Sequence, residues 1–156
     1  MTMTGSSGWK GITSDLTFSP GRRWRTKGSL YVASSTYNCF GLHDGIMSGI
    51  GNGVEYYFGQ PNELFRTTKV NVSTNNSGTA DANTHIYEID WTSTNAKGYI
   101  DDNLWKENTT TIPTVNLKVA SGLYGGAGRV QMDWVFLGKF LPPEPTWGSW
   151  RAEETN

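Results

Sequence analysis

The stretch His85-Ile86-Tyr87-Glu88-Ile89-Asp90-Trp91 limits what this chain can fold into more than any other. Tyr87, Ile89 and Trp91 fall on one side at a period of two, and Ile86, Glu88 and Asp90 fall on the other. That alternation is a strand with one face in a core. Asp101-Asp102-Asn103 follows with turn chemistry, and Leu104 and Trp105 open a second short strand. The segment predicts a β-hairpin.

The same punctuation runs through the rest. Among 156 residues there are 19 glycines, seven tryptophans and seven tyrosines, a usage that favours short strands and turns over helices. About ten strands with turn signals every 8 to 12 residues or so predict two packed antiparallel sheets, a sandwich or jelly roll. The length suffices to bury close to about 70% of the unfolded surface in one core. Leu16 and Phe18, Leu30 and Val32, Tyr37 to Leu42, and Val54 to Phe58 mark the early strands; Glu63 to Val72, with Leu64, Val70 and Val72, marks another. Val115, Leu117 and Val119 share a strand face, and Val130, Met132, Trp134 and Phe136 form the inward row of the last strand. Residues 1–8 read as a flexible leader, 9–141 as one domain and 142–156 as a tail or linker. Arg22 to Lys27 reads as a solvated edge strand, since edges carry charge against unwanted pairing. Asn75 to Asn83 and the glycine-rich run Gly122 to Gly128 read as loops; the latter lacks the Gly-Lys-Ser/Thr of a phosphate loop.

Charge narrows the partners. Thirteen basic and 14 acidic residues leave a net charge of -1, which gives neither a nucleic acid nor an anionic membrane a reason to bind. No stretch approaches the ~20 apolar residues of a membrane span. Cys39 is the sole cysteine, so no internal disulfide forms, and its neighbours Phe40 and Leu42 predict a buried thiol.

His85-x-Tyr87-x-Ile89-x-Trp91, then Gly98-Tyr99-Ile100-Asp101-Asp102, then Asp133-Trp134-Val135 together resemble the concanavalin A-like lectin/glucanase superfamily. The resemblance runs from about Leu30 to Phe140 and implies a jelly roll. It also implies a structural calcium at Asp133, joined by backbone carbonyls, because calcium takes about six to eight oxygens; no other cofactor is required. Relatives carry a longer segment before the Leu30-Tyr31-Val32 strand. Its shortness here predicts an open sheet edge that another protein chain, a second copy included, would complete. Pro-Glu-Pro-Thr exits like residues 143–146 occur in larger surface proteins, which implies an extracellular, cell-surface or virion setting.

Glu88 and Asp90 leave their strand in one direction, roughly 7 Å apart at Cα, and a retaining glycosidase needs two carboxyls about 5 to 5.5 Å apart. Glu88-Ile89-Asp90 is similar to the start of the laminarinase-like Glu-Ile-Asp-x-x-Glu motif, but the second glutamate is absent and this is not that family's catalytic strand. No catalytic residue is therefore assigned. His43 and His85 lack zinc spacing, and no nucleophile elbow is present.

Sugars stack their CH faces on aromatic rings and bond their hydroxyls to polar groups. Tyr37, Tyr57, Tyr99 and Trp105 are out of register with the apolar rows, and Asn38, Glu55, Arg66, Glu88 and Asp90 are the polar partners. The leading reading is a non-catalytic, lectin-like domain that binds a polysaccharide or oligosaccharide on a concave sheet. A structural or adhesive assembly protein ranks second, and a glycoside hydrolase or polysaccharide lyase third.

Overall fold

The computed structural model describes residues 2–31, 37–45, 51–59, 62–78 and 83–140. The expected tail, Val32, and residues 79–82 of the expected loop lie outside them. Ten strands follow in order: β1 Thr2–Phe18, β2 Arg22–Tyr31, β3 Tyr37–His43, β4 Gly53–Gly59, β5 Asn62–Lys69, β6 Val72–Gly78, β7 His85–Trp91, β8 Ala96–Ile100, β9 Asn103–Asn108 and β10 Leu117–Lys139.

Every pairing is antiparallel, in the order β6-β5-β4-β3-β10-β2-β7-β8-β9. The long β10 belongs to both sheets. Its residues 118–124 pair with β3 and its residues 129–139 with β2, while β1 lines its other side from Leu117 to Gln131. The first sheet is thus β6-β5-β4-β3 and the second β2-β7-β8-β9, joined through β10.

The alternating rows meet between the sheets. Phe40 and Tyr56 from the first sheet touch Tyr87 of the second edge-on, at 4.8 and 5.0 Å between ring centroids, and edge-to-face aromatic pairs add stability beyond buried area. Trp24, Ile89 and Trp91 complete this interior and are fully buried. Polar tips find partners. The Tyr56 hydroxyl lies 2.9 Å from the Glu88 carbonyl and 2.6 Å from that of Tyr99, and Trp91 Nε1 donates to the Pro113 carbonyl at 3.0 Å. Tyr56 therefore ties the two sheets together.

Several expectations change. Trp134 and Phe136 are 43% and 56% exposed, while Val130 and Met132 are buried. The register slips between Met132 and Trp134; such a bulge inserts one residue and flips the phase of all that follow, so Leu137 packs on the core instead. Val70 and Asn71 turn the β5–β6 hairpin with φ of 49° and 66°, leaving Val70 70% exposed. Asp101 and Asp102 turn the β8–β9 hairpin in the same way, as expected. Asn75 to Gly78 belong to β6, and Gly122 to Gly128 to β10.

The N-terminal residues read as a leader are strand: Thr2 pairs with Gln131 and Met3 with Val130. The edge expected to stand open there is occupied by β1. β2 is no edge either, since it lies between β10 and β7.

Candidate functional site

Directly opposed residues of antiparallel strands share a face, so register alone assembles one patch on the outer side of the first sheet. Tyr37 opposes Tyr124 and Gly59, Cys39 opposes Gly122 and Tyr57, and Glu55 opposes Gly41 and Arg66. Tyr37 and Tyr57 stack at 5.6 Å between centroids, and Tyr124 lies 6.1 Å from Tyr37. Glycine at 59 makes this possible, because a Cβ there would stand 2.2 Å from the Tyr37 ring. Tyr37 and Tyr124 remain 37% and 38% exposed.

Below the rings lies charge. The Arg66 guanidinium sits 4.0 Å from the Tyr57 ring centroid, its Nε donates to Glu55 Oε1 at 2.6 Å, and its Nη2 contacts the same oxygen. Glu55 is fully buried, and its Oε2 has no hydrogen-bond partner among the described residues. Burial pushes the Tyr57 hydroxyl up to about 12, with Arg66 pulling the other way. Burial, with Glu55 nearby, raises the Cys39 thiol well above its ordinary value. For Arg66 burial works against the charge, but the Glu55 carboxylate outweighs it and holds the guanidinium protonated.

A second patch lies on the outer face of the second sheet. Register sets Arg23 against Asp90 and Arg25 against Glu88, and Glu88 in turn against Tyr99. Arg23 forks onto Asp90 at 2.6 and 2.8 Å and reaches Glu88 at 3.2 Å; Arg25 contacts Glu88 at 3.3 Å and Asp102 at 2.5 Å. With Tyr99 and Phe140 these side chains line an open cleft of about 460 Å³. Burial raises the Glu88 carboxyl, and Arg23 lowers it in part.

No protein-family model and no curated protein matches the sequence. Solved structures do match in shape. The β-glucanase of Bacillus licheniformis is 20% identical with a TM-score of 0.67, over 80% of this chain and 69% of that one. A β-1,3-1,4-glucanase (lichenase) derived from a mouse hindgut metagenome gives 15% and 0.65, over 80% and 69%. The Crh5 transglycosylase gives 15% and 0.64, over 91% and 72%. The chain is a concanavalin A-like jelly roll.

The nine expected ligand residues of this jelly roll do not form one site. Tyr37, Glu55, Tyr57 and Arg66 come together on the first sheet, and Glu88, Asp90 and Tyr99 on the second. Asn38 is fully buried on the opposite face of β3 from Tyr37, and its amide donates to the Arg129 carbonyl at 3.2 Å. Trp105 packs against the core, stacked near Tyr56 and Phe58 at 5.8 and 6.5 Å. His85 holds the start of β7 through Asp101 at 2.5 Å. Asp133 is exposed at the bulge of β10. Among the described residues no three His, Cys, Asp or Glu side chains gather into a metal-binding group, so a calcium ion at Asp133 would draw most of its oxygens from carbonyls and water.

Sequence reading missed Tyr124, set in a glycine-rich run, and took Arg23 and Arg25 for a solvated edge in preference to a charged contact patch. A signal for the arginines existed, because they repeat at a period of two just as Glu88 and Asp90 do. Chemically, each patch sets aromatic rings beside charged groups. On the tyrosine face Glu55 is tied to Arg66; on the other face Arg23 engages both Glu88 and Asp90.

Proposed function

We propose that this jelly roll is a carbohydrate-binding domain, with the glycan lying across Tyr124, Tyr37 and Tyr57 on the outer face of the first sheet. The stacked, part-exposed Tyr37 and Tyr57 rings carry the reading, since flat aromatic surface beside polar groups is what a sugar ring recognises. Two glucanases and a transglycosylase of the same fold support a polysaccharide as the ligand class. Binding is preferred to cleavage because glycoside hydrolysis uses two carboxyls flanking the bond, and Glu55 on the tyrosine face is buried and tied to Arg66. Affinity electrophoresis on laminarin, lichenan, mannan, alginate and cellulose tests it. Retardation on at least one polymer, weakened in Tyr37→Ala, is expected; free migration on all five removes the proposal.

A glycoside hydrolase is the second reading, favoured by the same neighbours and by the unpartnered Oε2 of Glu55. Release of reducing ends by the native chain, abolished in Glu55→Gln, would replace the binding reading with this one.

A further inference from the structure

We propose that Asn52 is a site of spontaneous modification, converted to aspartate and isoaspartate by attack of the Gly53 nitrogen, and that Asp44 sets the rate. The inference is independent of the glycan reading. Among the 156 residues Asn52-Gly53 is the only Asn-Gly pair, and Asp44-Gly45 is the only Asp-Gly pair. The fold bonds Asn52 to Asp44. Asn52 Nδ2 donates to Asp44 Oδ2 at 2.7 Å, and the Asn52 backbone N–H donates to the same oxygen at 3.0 Å. The Asp44 N–H donates to the Asn52 carbonyl at 3.0 Å, and Asn52 Oδ1 accepts from the Val70 N–H at 3.0 Å. This clasp ties the connection from β3 to β4 onto the turn from β5 to β6.

Each residue of the pair has a structural task there. Asn52 donates and accepts with one side chain, which an ionised aspartate does not do. Gly53 opposes His43, and a Cβ at 53 would collide with that imidazole. Hydrogen bonding and packing therefore keep together the two residues between which ring closure is least hindered, since glycine turns freely and sets no side chain beside its nitrogen.

The Gly53 nitrogen bonds Asn52 Cγ and gives up its proton, and the side-chain nitrogen leaves with that proton as ammonia. Water then opens the cyclic imide at either carbonyl. One opening gives aspartate; the other gives isoaspartate, whose main chain gains the β-carbon. Asp44 opposes the first step. The amide is bonded at both ends and reaches the Gly53 nitrogen only after leaving Asp44 and Val70, so closure runs through local opening. Neither product rebuilds the clasp. Aspartate sets a second carboxylate against Asp44, and like charges repel. Isoaspartate displaces the start of β4 from His43. Either change loosens the end of the strand that carries Glu55 and Tyr57.

Incubation of the full chain in mildly alkaline buffer, followed by peptide mapping with mass spectrometry, tests the assignment. Conversion is expected at Asn52 ahead of every other asparagine, with both products present. Asp44→Ala should speed it about tenfold or more, the worth of a hydrogen bond to a charged group. Cys39, fully buried in the native sheet, should stay closed to alkylation in that variant. Denaturant should speed conversion of the native chain likewise. Asn52→Asp, made directly, should raise hydrogen exchange at Gly51 to Val54 and at Val70 and Asn71 about tenfold or more. An Asn52 that persists while another asparagine converts overturns the proposal. So does a native rate equal to the rate in denaturant, a rate indifferent to Asp44→Ala, or an Asn52→Asp chain that exchanges like the native one.

Discussion

Arg66 sits over the ring of Tyr57, its guanidinium carbon 4.0 Å from the centroid, while its Nε bonds the buried Glu55. The aromatic surface offered to solvent is thus fixed from beneath by an ion pair. Removing one member of a buried pair leaves an uncompensated charge, at a cost of about 3–5 kcal/mol. Arg66→Met should lower stability by that order in urea unfolding, and Glu55→Gln added to it should recover a large part. Equal losses in the single and double variants would show that the pair does not hold the face.

Alkaline pH should unfold the domain through its tyrosines. Tyr57 is raised to about 12 in the fold, above the value near 10 of an exposed phenol. The folded state therefore keeps a proton that the unfolded chain releases. The stabilisation is complete below pH ~10 and is lost as pH rises through 12. Absorbance of tyrosinate and the unfolding midpoint should change together in this window. A chain whose tyrosines all ionise near 10 while folded would contradict the burial.

Two tryptophans that look alike in sequence should behave oppositely. Trp91 is fully buried and Trp134 is 43% exposed. Trp91→Ala should cost about 3–5 kcal/mol, whereas Trp134→Ala should stay within about 1 kcal/mol. Comparable losses would return Trp134 to the core.

Cys39 is fully buried, and burial holds its thiol protonated. Since the thiolate is the reactive form, alkylation should be negligible in the native chain and fast in denaturant. Rapid native labelling would mean that the sheet opens at β3.

On the tyrosine face, Tyr37→Ala should weaken glycan binding about three- to tenfold, the worth of one aromatic contact. Trp105→Ala should lower stability and leave affinity unchanged, because that ring packs inward. Calorimetry on the polymer that retards the native chain separates the two.

What could be read from the residues was whatever repeats locally. The period of two from His85 to Trp91 gave β7 and its buried row, and Asp101-Asp102 gave the hairpin turn. The candidate site was legible in part. Tyr37 and Tyr57 stood out as misfits to the apolar rows and Glu55 and Arg66 as polar partners, but their gathering depended on the pairing of β3 with β4 and of β4 with β5. Trp105 met the same criterion and packs on the core, since periodicity does not say what covers a face.

The amino-acid order alone determined that this chain is built of amphipathic strands and tight turns, because alternation and turn chemistry act between near neighbours. The tertiary structure decided which strands adjoin, that the first residues complete the sheet beside β10, and that one extra residue near Asp133 turns Trp134 and Phe136 outward. Those outcomes rest on contacts between residues more than a hundred positions apart, such as Thr2 with Gln131, whose register no local pattern encodes.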